Sequence, residues 1–173
     1  MRTILILLIF FKLFFADYCG TDQVAIGMEV HISGVARLLC GKPNCFDKNY
    51  SECPERAESR KGCKKENEWI GGFDATIDGK LYTMCCEFEN LKDFVKPKYK
   101  EVRIRRGEYF EGEEKQNDDG DVTSFDVIKD IQTYRDDSGN PYYNLTVYNF
   151  NCVPLAEQTP KWVLKTHWPY FKK

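Results

Sequence analysis

Residues 73–86 read Phe73-Asp74-Ala75-Thr76-Ile77-Asp78-Gly79-Lys80-Leu81-Tyr82-Thr83-Met84-Cys85-Cys86. Phe73, Ala75 and Ile77 alternate with polar neighbours, Asp78-Gly79 supplies a two-residue turn, and Leu81 to Cys85 returns. Asp-Gly accepts positive φ at both central positions, as a type I′ turn requires. The stretch is therefore a β-hairpin ending in two adjacent cysteines. Successive side chains of a strand point to opposite faces, so Cys85 and Cys86 should bond to different partners.

Those two belong to a set of eight: Cys19, Cys40, Cys45, Cys53, Cys63, Cys85, Cys86 and Cys152. All follow an apolar N-terminal segment. Arg2 gives it a positive start, Ile4 to Phe15 is apolar apart from Lys12, and Ala16 is a suitable last residue before cleavage. This is the layout of a secretory signal peptide over residues 1–16, leaving a chain that begins at Asp17. A membrane anchor needs about 20 apolar residues, and this run is shorter and carries a charge. No later segment is apolar enough to span a bilayer, so no transmembrane segment is expected. An even set of cysteines behind an export signal implies a disulfide framework in an oxidising compartment, with localisation outside the cell. Four bridges would contribute about 2–4 kcal/mol each, and pairing is open among roughly 105 connectivities. No C-x-x-C pair occurs and His31 and His167 are far apart in sequence, so neither a metal site nor a cofactor is expected.

The rest of the chain reads as short strands between turns. Ile26, Met28, Val30 and Ile32 alternate on one side of a strand closed by Ser33-Gly34, and Val35 to Cys40 continues the pairing. Gly41 to Trp69 is a polar loop, stapled by Cys45, Cys53 and Cys63. Glu101 to Arg105 and Glu108 to Glu111 read as a strand pair around Arg106-Gly107. Val122 to Tyr134 has Phe125, Ile128 and Ile131 at three-residue spacing, which suits a short helix, with a bent strand as the alternative. Asp136 to Pro141 is a turn, and Tyr142 to Phe150 is a strong strand that Cys152 would anchor. The expected fold is mainly β, a small disulfide-stapled extracellular domain of antiparallel hairpins over residues 17–152, with at most one short helix. Residues 153–173 form an aromatic and basic tail.

Net charge is −2 over 173 residues, and about −4 once residues 1–16 are removed. Such a balance gives no general attraction to nucleic acid. Lys96, Lys98, Lys100, Arg103, Arg105 and Arg106 nevertheless form a local basic run, a candidate for binding sulfated glycans, set against the plainer reading of a solvated strand edge. Asn49-Tyr50-Ser51 and Asn144-Leu145-Thr146 are acceptor sequences for N-linked glycans. The second lies in an expected strand, so its use requires an open outward face. No G-x-S-x-G, H-E-x-x-H or phosphate-loop pattern occurs and no second histidine is positioned to serve a nucleophile, so no enzymatic activity is expected.

Several segments together resemble a known family. They are Asp17-Tyr18-Cys19-Gly20, Met28-Glu29-Val30, Leu39-Cys40-Gly41-Lys42-Pro43-Asn44-Cys45-Phe46 and Cys85-Cys86-Glu87-Phe88-Glu89-Asn90-Leu91. They continue through Gly107-Glu108-Tyr109-Phe110-Glu111-Gly112-Glu113-Glu114 and Phe125-Asp126-Val127-Ile128-Lys129-Asp130-Ile131. The last are Gly139-Asn140-Pro141-Tyr142-Tyr143-Asn144-Leu145-Thr146-Val147-Tyr148 and Cys152. In this order they resemble the N-terminal domain of the nematode hedgehog-related proteins, specifically the warthog group. The resemblance implies a secreted, non-catalytic signal in development or epidermis, with a cell-surface receptor as partner. Some members carry a C-terminal autoprocessing domain; only 21 residues follow Cys152, so self-splicing and sterol attachment are not expected. Two other classes fit the same residues: a matrix or cuticle component held by the basic run and tail, and a secreted carrier of apolar ligands.

Overall fold

The computed structural model describes residues 15–20, 22–43, 45, 53, 62–75 and 81–155. Residues 1–14 of the expected signal peptide, Asn49, the Asp78-Gly79 turn and the expected tail beyond Leu155, including His167, lie outside the described residues. The elements are β1 (Phe15–Tyr18), β2 (Val24–Val30), β3 (Ala36–Gly41), β4 (Glu68–Ala75), β5 (Leu81–Glu87), α1 (Leu91–Phe94), β6 (Val95–Ile104), β7 (Tyr109–Glu111), β8 (Glu114–Gln116), β9 (Val122–Arg135) and β10 (Pro141–Asn151). Every pairing is antiparallel. The sheets are β1-β4-β5, β6-β10-β9-β8 and β3-β2-β7.

The hairpin that opens the reading pairs Phe73 with Thr83, Asp74 with Tyr82 and Ala75 with Leu81. Between β9 and β10 the chain turns on Asp136, whose Oδ1 accepts the N–H groups of Ser138 at 3.0 Å and Asn140 at 2.8 Å. This is an Asx-type turn, in which a side chain stands in for a backbone acceptor.

Of the two readings of Val122 to Tyr134, the bent strand holds and the helix does not: the segment is β9, and α1 is the one helix among the described residues. Its three-residue interval has another origin. Ile131 pairs with Leu145 and Asp130 with Thr146, but Val147 pairs with Ile128. Lys129 is thus an extra residue, a β-bulge that brings Ile128 and Ile131 onto one face. Nor do Glu101–Arg105 and Glu108–Glu111 form a hairpin. The first lies in β6 against β10, and the second reaches β7 against β2. Gly107, at φ 80°, turns the chain from one sheet to another, and its N–H donates to the Val30 carbonyl at 2.6 Å.

Bulges shape the other sheets as well. Ala25 pairs with Cys40 and Gly27 with Leu39, leaving Ile26 extra. Ile26 therefore packs in a different cluster from Met28 and Val30, and Ile32 stands in the following turn, 75% exposed. The expected single face from Ile26 to Ile32 is broken by that residue. In β4, Gly71 is extra between Ile70↔Cys85 and Gly72↔Met84. A Cβ there would lie 2.1 Å from the Cys86 sulfur, so only glycine admits the bridge beside it.

Two apolar clusters result. Met28, Ile70, Phe73, Ile128, Leu145 and Val147, all fully buried, anchor the first. Trp69, Leu91, Val95, Phe125, Val127 and Phe150 form the second, where Phe125 and Phe94 stack on Phe150 at 4.9 and 5.5 Å. Disulfides Cys19–Cys40 and Cys63–Cys85 join the first cluster; Cys45–Cys152 and Cys53–Cys86 join the second. Cys85 and Cys86 take different partners, from opposite faces of β5.

The bulge residue Lys129 is buried. Its ammonium donates to the carbonyls of Cys63 at 2.9 Å, Glu68 at 2.6 Å and Lys65. Three donors meet three acceptors, which satisfies the group completely. Burial lowers its pKa, opposed by the Glu68, Asp130 and Glu66 charges. Asp130 Oδ1 accepts the Cys63 N–H at 3.1 Å, so two β9 side chains hold the backbone at the end of the cystine loop, while the Cys63–Cys85 bridge ties it to β5. Lys129→Met leaves three carbonyls without their donor and should cost at least about 2 kcal/mol. Urea unfolding with disulfides intact checks this, and an unchanged midpoint would contradict it.

Candidate functional site

β6 lies at one edge of the four-stranded sheet, and its sequence decides what that edge presents. Val102 and Ile104 pack on the first cluster, whereas Lys96, Lys100 and Arg103 are exposed; Arg105 and Arg106 follow, also exposed. The Arg103 guanidinium sits 4.7 Å from the Tyr142 ring centre, and Tyr142 stacks on Tyr134 of β9 at 5.6 Å. The cation is thereby held in place on the sheet's outer surface. Arg105 offers its N–H to Glu108 Oε2 at 2.8 Å, and the Arg106 side chain lies against Gly34.

Lys98 does something different from its neighbours. Its Nζ lies 2.7 Å from Asp126 Oδ2 and 2.8 Å from Glu113 Oε2. Asp126 is 1% exposed; its Oδ2 also accepts the Glu113 N–H at 3.0 Å, and its Oδ1 accepts from Asn149 Nδ2 at 3.1 Å. Four segments meet there: β6, the β7–β8 link, β9 and β10. Burial acts to lower the Lys98 pKa, but the hydrogen bonds to Asp126 and Glu113 outweigh it and hold the pKa above the ordinary lysine value. Since the folded value is raised, this stabilisation is fully present below about 10.4, the unfolded value, and fades only as pH rises beyond it. The basic run thus divides into an exposed set and one structural cation.

A second surface lies at the end of the β3-β2-β7 sheet. The Val30 N–H donates to the Glu108 carbonyl at 2.9 Å, which brings the turn carrying Arg105 and Arg106 against the His31–Val35 turn. Ile32 is 75% and Tyr109 70% exposed, the two most exposed large apolar side chains there. His31 Nδ1 accepts the Ser33 N–H at 3.2 Å, which shapes the turn that lifts Ile32 outward. An aromatic, an aliphatic and arginines together are the composition of protein-interface cores. Sequence alternation assigned Ile32 to the interior and missed this surface; the His31-Ile32-Ser33-Gly34 turn signal was the clue that β2 ends before it.

The remaining candidate residues are soon placed. The eight cysteine sulfurs are all consumed in bridges. Asn144 is half-buried on β10, paired with Arg103 of β6 and Gln132 of β9. Asn117 Oδ1 accepts the N–H groups of Asp119 and Asp121, so the acidic stretch closes the β8–β9 turn.

Residues 16–153 match the family described as the Warthog N-terminal signalling domain. Warthog protein 3 of Caenorhabditis elegans is 64% identical over 168 residues, covering 97% of this chain and 93% of the relative. Warthog protein 5 of the same organism is 42% identical over 158 residues, covering 91% and 89%. Warthog protein 1 is 27% identical over 177 residues, an alignment covering 79% of this chain but 36% of that longer protein. No solved structure matches the chain.

The divided basic run gives a direct test. Lys98→Met strands the buried Asp126 carboxylate and should cost about 3–5 kcal/mol. Lys96→Ala and Lys100→Ala, which remove exposed cations, should each stay within about 0.5 kcal/mol of the parent. Urea midpoints of the three variants measure both; a Lys98 variant as stable as the others would refute the division.

Proposed function

The chain belongs to the warthog family of hedgehog-related signalling domains, and on that premise we propose that it is a secreted signal acting by binding a cell-surface partner, without catalysis, in development or epidermis. Family membership carries this reading. The four disulfides support it, because such bridges persist in oxidising compartments. Removal of residues 1–16 as a signal peptide would leave the 17–152 domain intact. Asp17 and Tyr18 still pair with Phe73 and Gly72, and Asp17 Oδ2 accepts the Leu38 N–H at 2.5 Å, which ties the new end of the chain to β3. The exposed end formed by Ile32, Tyr109, Arg105 and Arg106 is the receptor-facing surface in this account. Aromatic and arginine anchors surrounded by polar residues are where binding energy concentrates.

Retention in matrix is a second property that one observation favours. Lys96, Lys100, Arg103, Arg105 and Arg106 lie along and just beyond a single extended edge of roughly 30 Å. A linear polyanion such as a sulfated glycan matches a linear row of cations, and the attraction weakens with salt. The two properties are compatible: a signal held near its source still presents its other end.

Protein expressed in animal cells should appear in the medium beginning at Asp17 and bind nematode epidermal cells saturably. The Ile32→Asp, Tyr109→Ala double variant should bind at least about ten-fold more weakly with an unchanged urea midpoint. Equal binding by that variant, or no saturable binding by the parent, would overturn the receptor reading. On a heparin column, the Lys96→Ala, Lys100→Ala, Arg103→Ala triple variant should elute at lower salt than the parent. Elution at the same salt would overturn the glycan reading.

A further inference from the structure

We propose that Asn144 carries an N-linked glycan seated on the outer face of the four-stranded sheet; the inference rests on the secretion reading above. β10 is a central strand, and a sequon in such a position is usable only if its face is open. Tyr143, Leu145 and Val147 are buried, whereas Tyr142, Asn144 and Thr146 are half-buried on the opposite side. The acceptor amide and the hydroxyl two residues later therefore share the outward face, about 6.7 Å apart along the strand. Around them Arg103, Gln132 and Tyr134 are exposed, so no described element covers this part of the sheet.

The asparagine itself supplies the second observation. Its Oδ1 is shut off from solvent and has no hydrogen-bond partner, an arrangement that costs free energy in a folded protein. An oxygen turned into the sheet leaves the other atom of the planar amide, Nδ2, as the one a sugar can join. The residues alongside suit a carbohydrate. Arg103, Tyr142 and Tyr134 make a continuous row across three strands, and the Tyr134 hydroxyl is oriented by donation to Gln132 Oε1 at 2.6 Å. Aromatic rings and a planar guanidinium give the sugar's C–H surface an apolar support, with polar groups at its rim.

The covalent step draws on a polyprenyl-diphosphate-linked oligosaccharide as donor. Asn144 Nδ2 forms a bond to the anomeric carbon, the bond from that carbon to the diphosphate oxygen breaks, and the diphosphate leaves with the electron pair. The amide nitrogen gives up one proton. In this proposal the reaction takes place on the extended chain, before β10 sits between β6 and β9 and before the Cys45–Cys152 bridge closes. A glycan here also assigns the surfaces. It covers the aromatic face of this sheet and leaves Ile32 and Tyr109, at the end of a different sheet, as the face open to a protein partner.

The test is peptide-level mass spectrometry of full-length protein from animal-cell medium and lysate, with and without peptide-N-glycosidase. The Asn144 peptide should be absent in unmodified form before treatment and appear afterwards with asparagine converted to aspartate. Thr146→Ala should abolish that conversion and lower the mass by one glycan, while Thr146→Ser, which keeps the sequon, should retain it. Secreted protein with unmodified Asn144 overturns this inference and leaves the secretion reading standing. Protein retained in the cell with Asn144 glycosylated supports the inference and overturns secretion. Protein retained and unmodified overturns both.

Discussion

The four disulfide bridges are the constraint on which the rest of the structure depends. Three of the eight cysteines, Cys45, Cys53 and Cys63, come from the polar stretch between β3 and β4. A segment so rich in lysine, glutamate and asparagine has too little apolar surface to offset the entropy of ordering it. Its attachments therefore come from outside: Cys152 past the last strand, and the adjacent pair on β5. The widest bridge, Cys45–Cys152, spans 107 residues, and closing a loop of that size removes about 4.7 kcal/mol of chain entropy from the unfolded state in the loop-entropy description. Each apolar cluster receives two bridges, so neither half of the fold relies on side-chain burial alone.

Around that frame, two lysines do work that charge counting hides. Lys129 lies on a bulge and satisfies three carbonyls at the end of the cystine loop. Lys98 lies in a row of cations yet turns toward a buried aspartate. Breaking a buried charge–charge contact is far more damaging than losing an exposed charge. The stability of the domain and its surface chemistry are thereby set by different members of the same basic run. The exposed members are free to vary toward a partner without loosening the fold.

Much of this was legible from residues in sequence. The pairing of β4 with β5, the strand from Tyr142 to Phe150 and the anchoring position of Cys152 depend on neighbouring residues, and local pattern suffices for such features. The adjacency of Cys85 and Cys86 already required two different partners. Illegible were bulges such as those at Ile26, Gly71 and Lys129. An extra residue at Ile26, Gly71 or Lys129 shifts the alternation by one, and only the facing strand shows where. For the same reason β9 imitated helical spacing, and Ile32 looked like a core residue. The destinations of β6 and β7 were equally hidden, because a turn such as Arg106-Gly107 closes a hairpin or crosses between sheets according to contacts far away in sequence. Of the candidate sites, the exposed cations and Asn144 could be named from sequence, but Lys98's partner Asp126 is 28 residues distant and carries no local mark.

The central claim is that one set of pairings secures each of the two clusters. Proteolysis of the full-length protein under non-reducing conditions, followed by mass spectrometry of the linked peptides, tests it most directly. The account predicts Cys19–Cys40, Cys45–Cys152, Cys53–Cys86 and Cys63–Cys85, with no free thiol. Linkage of Cys85 to Cys53 or of Cys86 to Cys63, or a reduced thiol at any of the eight positions, would contradict it.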